Sequence, residues 1–590
     1  MNRTLRNKAI YLVLMALLLV PLSWLGQPAT VATEGESSSG GSSGGTLAQL
    51  RAEYDLSHGN LGEIDPTSEA LKLALFGMRG LAATITWEQA REYQMKEDWT
   101  NLDLKLEQIA RLQPHFVMVW RHQAWNLSYN VSAEWDDYRD RYYWVIRGLK
   151  YLMRGQPYNR HDTRLVWDEG WFIGQKVGKS DEYRQFRILF RENAINPIHP
   201  EDRPARDEDR DNWQVARQAF LRGLQMYERG DELRGANPLI FFSEPSRCSI
   251  RFAAAKEEEG DFEGDRPRSR WERAREEWHE FTHRSIPAAG MANVFLTVAG
   301  LEEYSREQVA AEREFYNLQP GLQEELQAQK RAALTDAERQ LLDTPAGSLS
   351  DEQMEEHSKL AQRVQVTLQD FINALPEEKR AQANELAKKV NATRALTQAG
   401  SAARYTVNYD YWEKRCEAEQ SVLVRTVDGQ EVVGVEQSNT LLLPIAAATD
   451  EEERETTIRG LVGGVAAWNP SGEIRVLTPD GRIAVIQAEG VREVIDLGVG
   501  ARRDLYHAYQ AYRIDPFTAK PYYETAFLKW RKILDAYPVL VGDGDINDDL
   551  TMASRRYDVS LQRRNLPFPK DDYILNDVLE ARPPDPPIGE

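Results

Sequence analysis

The feature that most constrains this chain is a helix–turn–helix recurrence marked by prolines. Between Thr67 and about Pro287, apolar and aromatic residues recur with helical period. The junctions Gln113-Pro114-His115-Phe116 and Gln156-Pro157-Tyr158-Asn159 lie 43 residues apart, and Asn196-Pro197 follows 40 later. The first pair runs from Leu71 through Trp87 and Tyr93, turns near Asp98 and resumes from Leu102 to Leu112. The second runs from Val117 through Trp125, turns near Ser132 and resumes from Tyr138 to Met153. The third runs from Leu165 through Trp171, turns near Gly178 and resumes from Tyr183 to Phe190. One helical hairpin cannot bury its apolar face alone, so hairpins repeating at this period stack into a solenoid. An irregular all-α domain with Trp-rich packing is the plainer alternative.

In a tetratricopeptide repeat, Trp and Tyr stand on the first helix, Ala at the tight contact on the second, and Pro after it. Trp87, Tyr93, Ala110 and Pro114 approximate that pattern. Arg270–Ala274 leading to Pro287, and Tyr522–Trp530 leading to Tyr537-Pro538, read as further helices closed by proline. Three stretches carry a family resemblance: Leu75-Phe76-Gly77-Met78-Arg79-Gly80-Leu81-Ala82, Leu112-Gln113-Pro114-His115-Phe116, and Val119-Trp120 with Ala124-Trp125-Asn126-Leu127-Ser128-Tyr129-Asn130. With Asn408-Tyr409-Asp410-Tyr411-Trp412 and Cys416-Glu417-Ala418-Glu419, the chain resembles a family of N-terminally membrane-anchored, TPR-like proteins of planctomycete-type bacteria. The resemblance spans roughly residues 65–300, 400–420 and the helices after Ala501. It implies architecture and export, not a reaction.

The N-terminus carries Arg3, Arg6 and Lys8 ahead of an apolar run from Ala9 to Gly26. At 1.5 Å per residue such a helix spans about 27 Å, close to the hydrocarbon core. Cations before the run place the N-terminus in the cytoplasm and the body outside it. The run reads as an uncleaved signal-anchor, with a cleaved signal peptide as the competing reading. Residues 27–66 include Ser37–Gly45, a Gly/Ser tract that reads as a flexible tether. The expected location is therefore the inner membrane, single-pass, with partners among other envelope proteins.

Composition removes whole classes of function. With 73 basic and 93 acidic residues the formal net charge is −20, which argues against nucleic acid as a partner. Two cysteines, Cys248 and Cys416, exclude a disulfide scaffold and a four-thiolate cluster. Whether those two pair or stay free is left open by the sequence. No cofactor is expected.

Residues 301–420 read as a polar helical arm and return helix. Thr335-Asp336-Ala337-Glu338 and Ser350-Asp351-Glu352-Gln353 are capping boxes, and Pro376 suits the first position of a helix. Residues 421–500 switch to strands. Val422–Val427 and Glu431–Val435 flank Asp428-Gly429, while Glu473–Leu477 and Arg482–Ile486 flank Pro479-Asp480-Gly481. Asp-Gly between apolar runs is a hairpin signal. With Leu441–Ile445 these strands suggest a small β-barrel or SH3-like module inserted in the helical body.

The sharpest chemical motif is His279-Glu280-Phe281-Thr282-His283. On a helix its two histidines share a face and can bind zinc, with Glu280 as general base. A third ligand is required, and Glu302 or Glu303 is the downstream carboxylate on offer. The charged context Arg273–Glu277 reads instead as an exposed helix surface. Asp543–Asp549 resembles a calcium loop but has Asp548 where Gly belongs and Ser554 where Glu belongs. The lone histidines His115, His122 and His161 read as packing or surface residues.

Trp120, Arg121, Trp125, Tyr129 and Trp135 begin a dense aromatic band. Core packing explains such a band, and so does a partner-binding groove, since solenoids present extended surfaces and aromatics with Arg anchor interfaces. The sequence thus supports a mainly α, TPR-like helical-hairpin solenoid with an inserted β module and one N-terminal transmembrane helix. Its parts are a basic tip (1–8), the anchor (9–26), the linker (27–66), the repeats (67–300), the arm (301–420), the insert (421–500) and closing helices with a Pro-rich tail (501–590). The expected role is a membrane-tethered scaffold or adaptor that binds proteins and is not an enzyme. The alternatives are a zinc hydrolase built on His279, Glu280 and His283, and an envelope glycan-binding module on the aromatic band.

Overall fold

The computed structural model describes residues 79–192, 208–230, 238–288, 294–345, 348–426, 431–437, 440–444, 473–477, 483–487, 491–542, 544–570 and 572–581. The chain is mainly helical with a small sheet, and it divides into two compact units, Met1–Phe241 and Phe242–Glu590. The single-pass membrane placement needs correcting. Among the described residues no helix is long and apolar enough to cross a membrane. The longest, Glu377–Val407, carries charged residues along its whole length, and each would have to leave water. The apolar run 9–26 lies outside the described residues.

The first unit consists of α1 (Arg79–Met95), α2 (Trp99–Leu112), α3 (Val117–Trp125), α4 (Tyr138–Gly155), α5 (Thr163–Trp171), α6 (Tyr183–Glu192) and α7 (Asn212–Glu228). Asp98, Asp137, Asp162 and Asp211 precede α2, α4, α5 and α7, and each side chain accepts a backbone N–H of the first turn. Such a cap satisfies one of the donors a helix start leaves unpaired. Helix α3 continues into a π-helical turn at Asn126–Val131, and α5 does the same at Phe172–Val177.

Small residues set the spacing within the pairs. A Cβ at Gly148 of α4 would collide with Ser128 Oγ and the Ala124 carbonyl of the α3 segment. A Cβ at Gly170 of α5 would fall 2.8 Å from the ring of Phe220 on α7. Successive pairs are tied together by bonds spanning 45 residues. Tyr151 Oη donates to the Leu106 carbonyl at 3.1 Å, and Asn159 Nδ2 donates to the Pro114 carbonyl at 2.9 Å. Arg154 grips Glu107 through both terminal nitrogens at 3.0 and 2.8 Å.

The third pair differs from the sequence expectation. Helix α5 packs chiefly against α7, not α6. Helix α6 buries Phe186 and Phe190 and leans on α4 and the π turn of α5. Its apolar face qualifies it as a second helix by pattern, but the glycines of α5 and its π turn receive Phe220 and Trp213 of α7. Arg187 of α6 and Asp211 form a buried ion pair at 3.1 Å, with Asn212 Oδ1 accepting from Arg187 Nε at 3.1 Å.

The second unit contains most of α8 (Pro238–Glu258), then α9 (Arg266–His283) and a short ladder of β1 (Ile286–Pro287) with β2 (Phe295–Leu296). The polar arm follows as α10 (Leu301–Tyr316), α11 (Leu322–Ala332), α12 (Asp336–Asp343), α13 (Asp351–Val364), α14 (Leu368–Ala374) and α15 (Glu377–Val407). Both expected capping boxes form, and a third joins Thr367 to Asp370. Pro376 stands at the N-cap of α15. The arm has its own small core around Phe315, Phe371 and Val390.

Helix α16 (Tyr409–Glu419) leads into β3 (Ser421–Thr426), β4 (Glu431–Gln437), β5 (Thr440–Pro444), β6 (Glu473–Leu477), β7 (Ile483–Gln487) and β8 (Val491–Asp496). Both expected hairpins form, with Leu423 opposite Val433 and Ile474 opposite Ile486. The order is β7-β6-β5-β4-β3-β8, with β5 and β6 parallel. That order ends at β7 and β8, and no ladder joins these two among the described residues, where the insert is a small sheet. The first and last strands are neighbours, as an insert requires, and Leu497 N donates to the Ser421 carbonyl at 3.0 Å. Helices α17 (Gly498–Ile514), α18 (Pro516–Ala536), α19 (Asp545–Gln562) and α20 (Asn576–Glu580) complete the unit. Helix α18 ends just before Tyr537-Pro538, as read from the sequence. Cys248 and Cys416 are free and buried, and burial pushes the Cys416 thiol up.

Candidate partner-binding face

Helices α3 and α5 begin 46 residues apart, and so do their π turns, so the two segments superpose residue for residue in sequence. In this register Trp125 matches Trp171. Both remain accessible, at 48% and 36%, while most of their neighbours are buried. Two tryptophans thus stand partly exposed at matching positions. Each sits where the α-helical ladder gives way to a π turn, a distortion found often at functional sites.

Ring contacts extend from each of them, on one side to Phe172, which is itself buried at 4% exposure. Trp125 stacks on Tyr129 with centroids 5.8 Å apart, and Tyr129 meets Phe172 of the next first helix edge-on at 5.6 Å. Trp167 stacks on Trp171 at 5.2 Å. Lys176 Nζ lies 4.8 Å from the centre of the Tyr129 ring. Burial lowers the Lys176 ammonium from its ordinary value and raises the Tyr129 hydroxyl, opposed by its hydrogen bond with Trp171. Arg121 crosses to Asp168, with Nη2 donating to Oδ1 at 3.0 Å. Desolvation raises the Asp168 carboxyl, and Arg121 works against it.

Two buried amides lie in the same stretch with polar atoms unmet. Asn126 Oδ1 accepts from Gln94 Nε2 at 3.0 Å and Asn130 Nδ2 at 2.8 Å, but Asn126 Nδ2 has no partner. Gln123 Oε1 has none either. Such atoms are rare in folded proteins and call for an explanation.

The expected residues therefore separate. Trp125 and Tyr129 belong to this face, and Arg121 braces it. Trp120 is a core residue, 2% exposed, whose indole N–H donates to the Pro114 carbonyl at 2.8 Å. Trp135 lies in the turn before α4 and stacks on Trp144 at 6.3 Å. Trp171, Trp167 and Lys176 were not singled out from sequence. Aligning α3 with α5 at 46 residues, instead of proline with proline, is the signal that would have found them.

His279 and His283 stack face to face with centroids 3.8 Å apart on the exposed side of α9. His283 Nδ1 is 3.0 Å from the His279 carbonyl oxygen, so one ring nitrogen is already engaged. Burial, then the neighbouring His283, lowers the His279 imidazole. Among the described residues no group of three His, Cys, Asp or Glu side chains is placed to hold a metal, and Glu302 pairs with Arg404.

The second unit also buries a network of charges. Glu257 of α8 accepts from Trp271 Nε1 at 2.9 Å, and Glu419 of α16 accepts from Arg502 Nε at 3.0 Å. Arg502 also reaches Asp549 at 2.5 Å, and Arg415 reaches Glu419 at 3.2 Å. Burial drives the Glu257 carboxyl well above its ordinary range, and the Glu419 charge adds to it. This network joins helices. No family model, no curated protein and no solved structure matches the chain.

Proposed function

We propose that the chain is a TPR-like helical scaffold that binds a partner protein across the first helices of its repeats. The observation that carries this reading is the pair Trp125 and Trp171, exposed at equivalent positions beside equivalent π turns. Exposed aromatics such as these two are among the residue types that dominate interface energetics. The bonds from α2 to α4 and from α3 to α5 support a rigid stack, which presents such residues without an entropic cost of ordering them. The partner segment is apolar, with carboxylates to meet Lys176.

The test is cross-linking mass spectrometry on native cells expressing the full chain or Trp125→Ala/Trp171→Ala. The expected result is one reproducible protein partner whose cross-links map to α3 and α5, lost in the double variant and kept in Trp135→Ala. Cross-links that map elsewhere, or that survive the double variant, overturn the reading.

A further inference from the structure

The polar arm encloses an open cleft of about 670 Å³ between α10, α11, α14 and α15, within the volume range of ligand sites, about 300–1,000 Å³. Helix α15 lines it with Asn384, Ala387, Asn391 and Arg394, and this spacing of three and four residues forms one stripe. Helix α11 adds Gln323 and Gln327, one turn apart, and the segment before α14 adds Gln365. Among the described residues, the side-chain amides of Gln323, Gln327, Gln365 and Asn391 make no hydrogen bond.

The charges of the cleft, by contrast, are spent. Arg394 Nε donates to Glu312 Oε1 at 2.7 Å, and Lys388 Nζ donates to Glu385 Oε1 at 2.7 Å. Lys330 clamps the rim, donating to the Gln365 carbonyl at 2.8 Å and to Asp370 at 2.6 Å. The floor is apolar. Ile372 and Ala387 belong to the arm's core, with Leu368 and Tyr316 packed against it.

Free amides above an apolar floor select one ligand chemistry. Each amide offers donors and an acceptor, as a hydroxyl does. An anion would find Arg394 already paired. A wholly apolar ligand would strip water from the amides and replace none of its hydrogen bonds. A sugar ring lays its C–H face on an apolar floor and turns its hydroxyl edge to donors and acceptors. We propose that this cleft binds a neutral saccharide.

The test is isothermal titration calorimetry of the full chain with four neutral hexasaccharides: cellohexaose, laminarihexaose, mannohexaose and hexa-N-acetylchitohexaose. At least one binds, and Gln327→Leu and Asn391→Leu each weaken it at least tenfold. Gln329→Leu, outside the cleft on the same helix, and Trp125→Ala/Trp171→Ala leave it unchanged. Gln327 and Asn391 are exposed, so their replacement spares the fold, which circular dichroism checks. No binding to any of the four overturns the proposal, as does binding that both cleft variants retain. Equal binding of a Gly-Ser hexapeptide would reassign the cleft to extended polypeptide and equally overturn it.

Discussion

Tryptophan stands in two different environments in this chain, and burial separates them. Trp120 donates to the Pro114 carbonyl and packs against Tyr151 and Tyr158, so its loss leaves a cavity where two helix pairs meet. Trp120→Ala should cost about 3–5 kcal/mol, read as a lower midpoint in urea followed by circular dichroism. Trp125→Ala should cost less than about 1 kcal/mol, because the ring is half exposed and its removal opens no cavity. If both variants lost the same stability, Trp125 would be a packing residue and the proposed face would lose its argument. The identities of these rings were legible in the sequence. Their division was not, because Trp120 and Trp125 sit five residues apart on one helix and only the neighbouring helix decides which face is covered.

At the level of elements, the contact between paired helices rests on residues too small to be noticed in a pattern of large ones. Gly148 allows α4 to approach Ser128 and Ala124. Gly148→Ala forces that contact apart and should destabilise the unit by about 1–3 kcal/mol, measured by hydrogen exchange of α3 and α4. The buried pair of Arg187 and Asp211 gives a second test. Arg187→Met leaves Asp211 buried and less well compensated and should cost about 3–5 kcal/mol, seen as a drop in thermal midpoint. Helix periods, proline stops, two capping boxes and two hairpins were readable locally, because caps and turns act within four residues. The choice of α7 over α6 as partner of α5 was not readable. Both helices carry an apolar stripe, and the glycines that select between them act across space. The parallel pairing of β5 with β6 was equally hidden, since strand neighbours are chosen by the whole sheet.

Across the second unit, the buried charges tie together helices far apart in sequence. Glu257, Arg415, Glu419 and Arg502 come from α8, α16 and α17, with Asp549 from α19. Glu257 holds its proton more tightly folded than unfolded. Its contribution to stability is therefore full below the ordinary glutamate value of 4.5 and is lost as pH rises above that toward its folded value. Glu257→Gln, which keeps the hydrogen-bond acceptor and removes the titration, should flatten the fall in stability with rising pH while leaving stability below pH 4.5 nearly unchanged. Urea titrations across the pH range check this, and an unchanged pH dependence would show that another group controls it. In sequence these residues look like any others in a chain that is 28% charged. What the sequence determined by itself was the local order: helices from their period, their ends from Asp, Thr, Ser and Pro, and hairpins from Asp-Gly. What only the tertiary structure decided was which faces meet, which tryptophans stay in water and which charges leave it. Those outcomes depend on contacts between residues tens to hundreds of positions apart, where sequence spacing carries no distance.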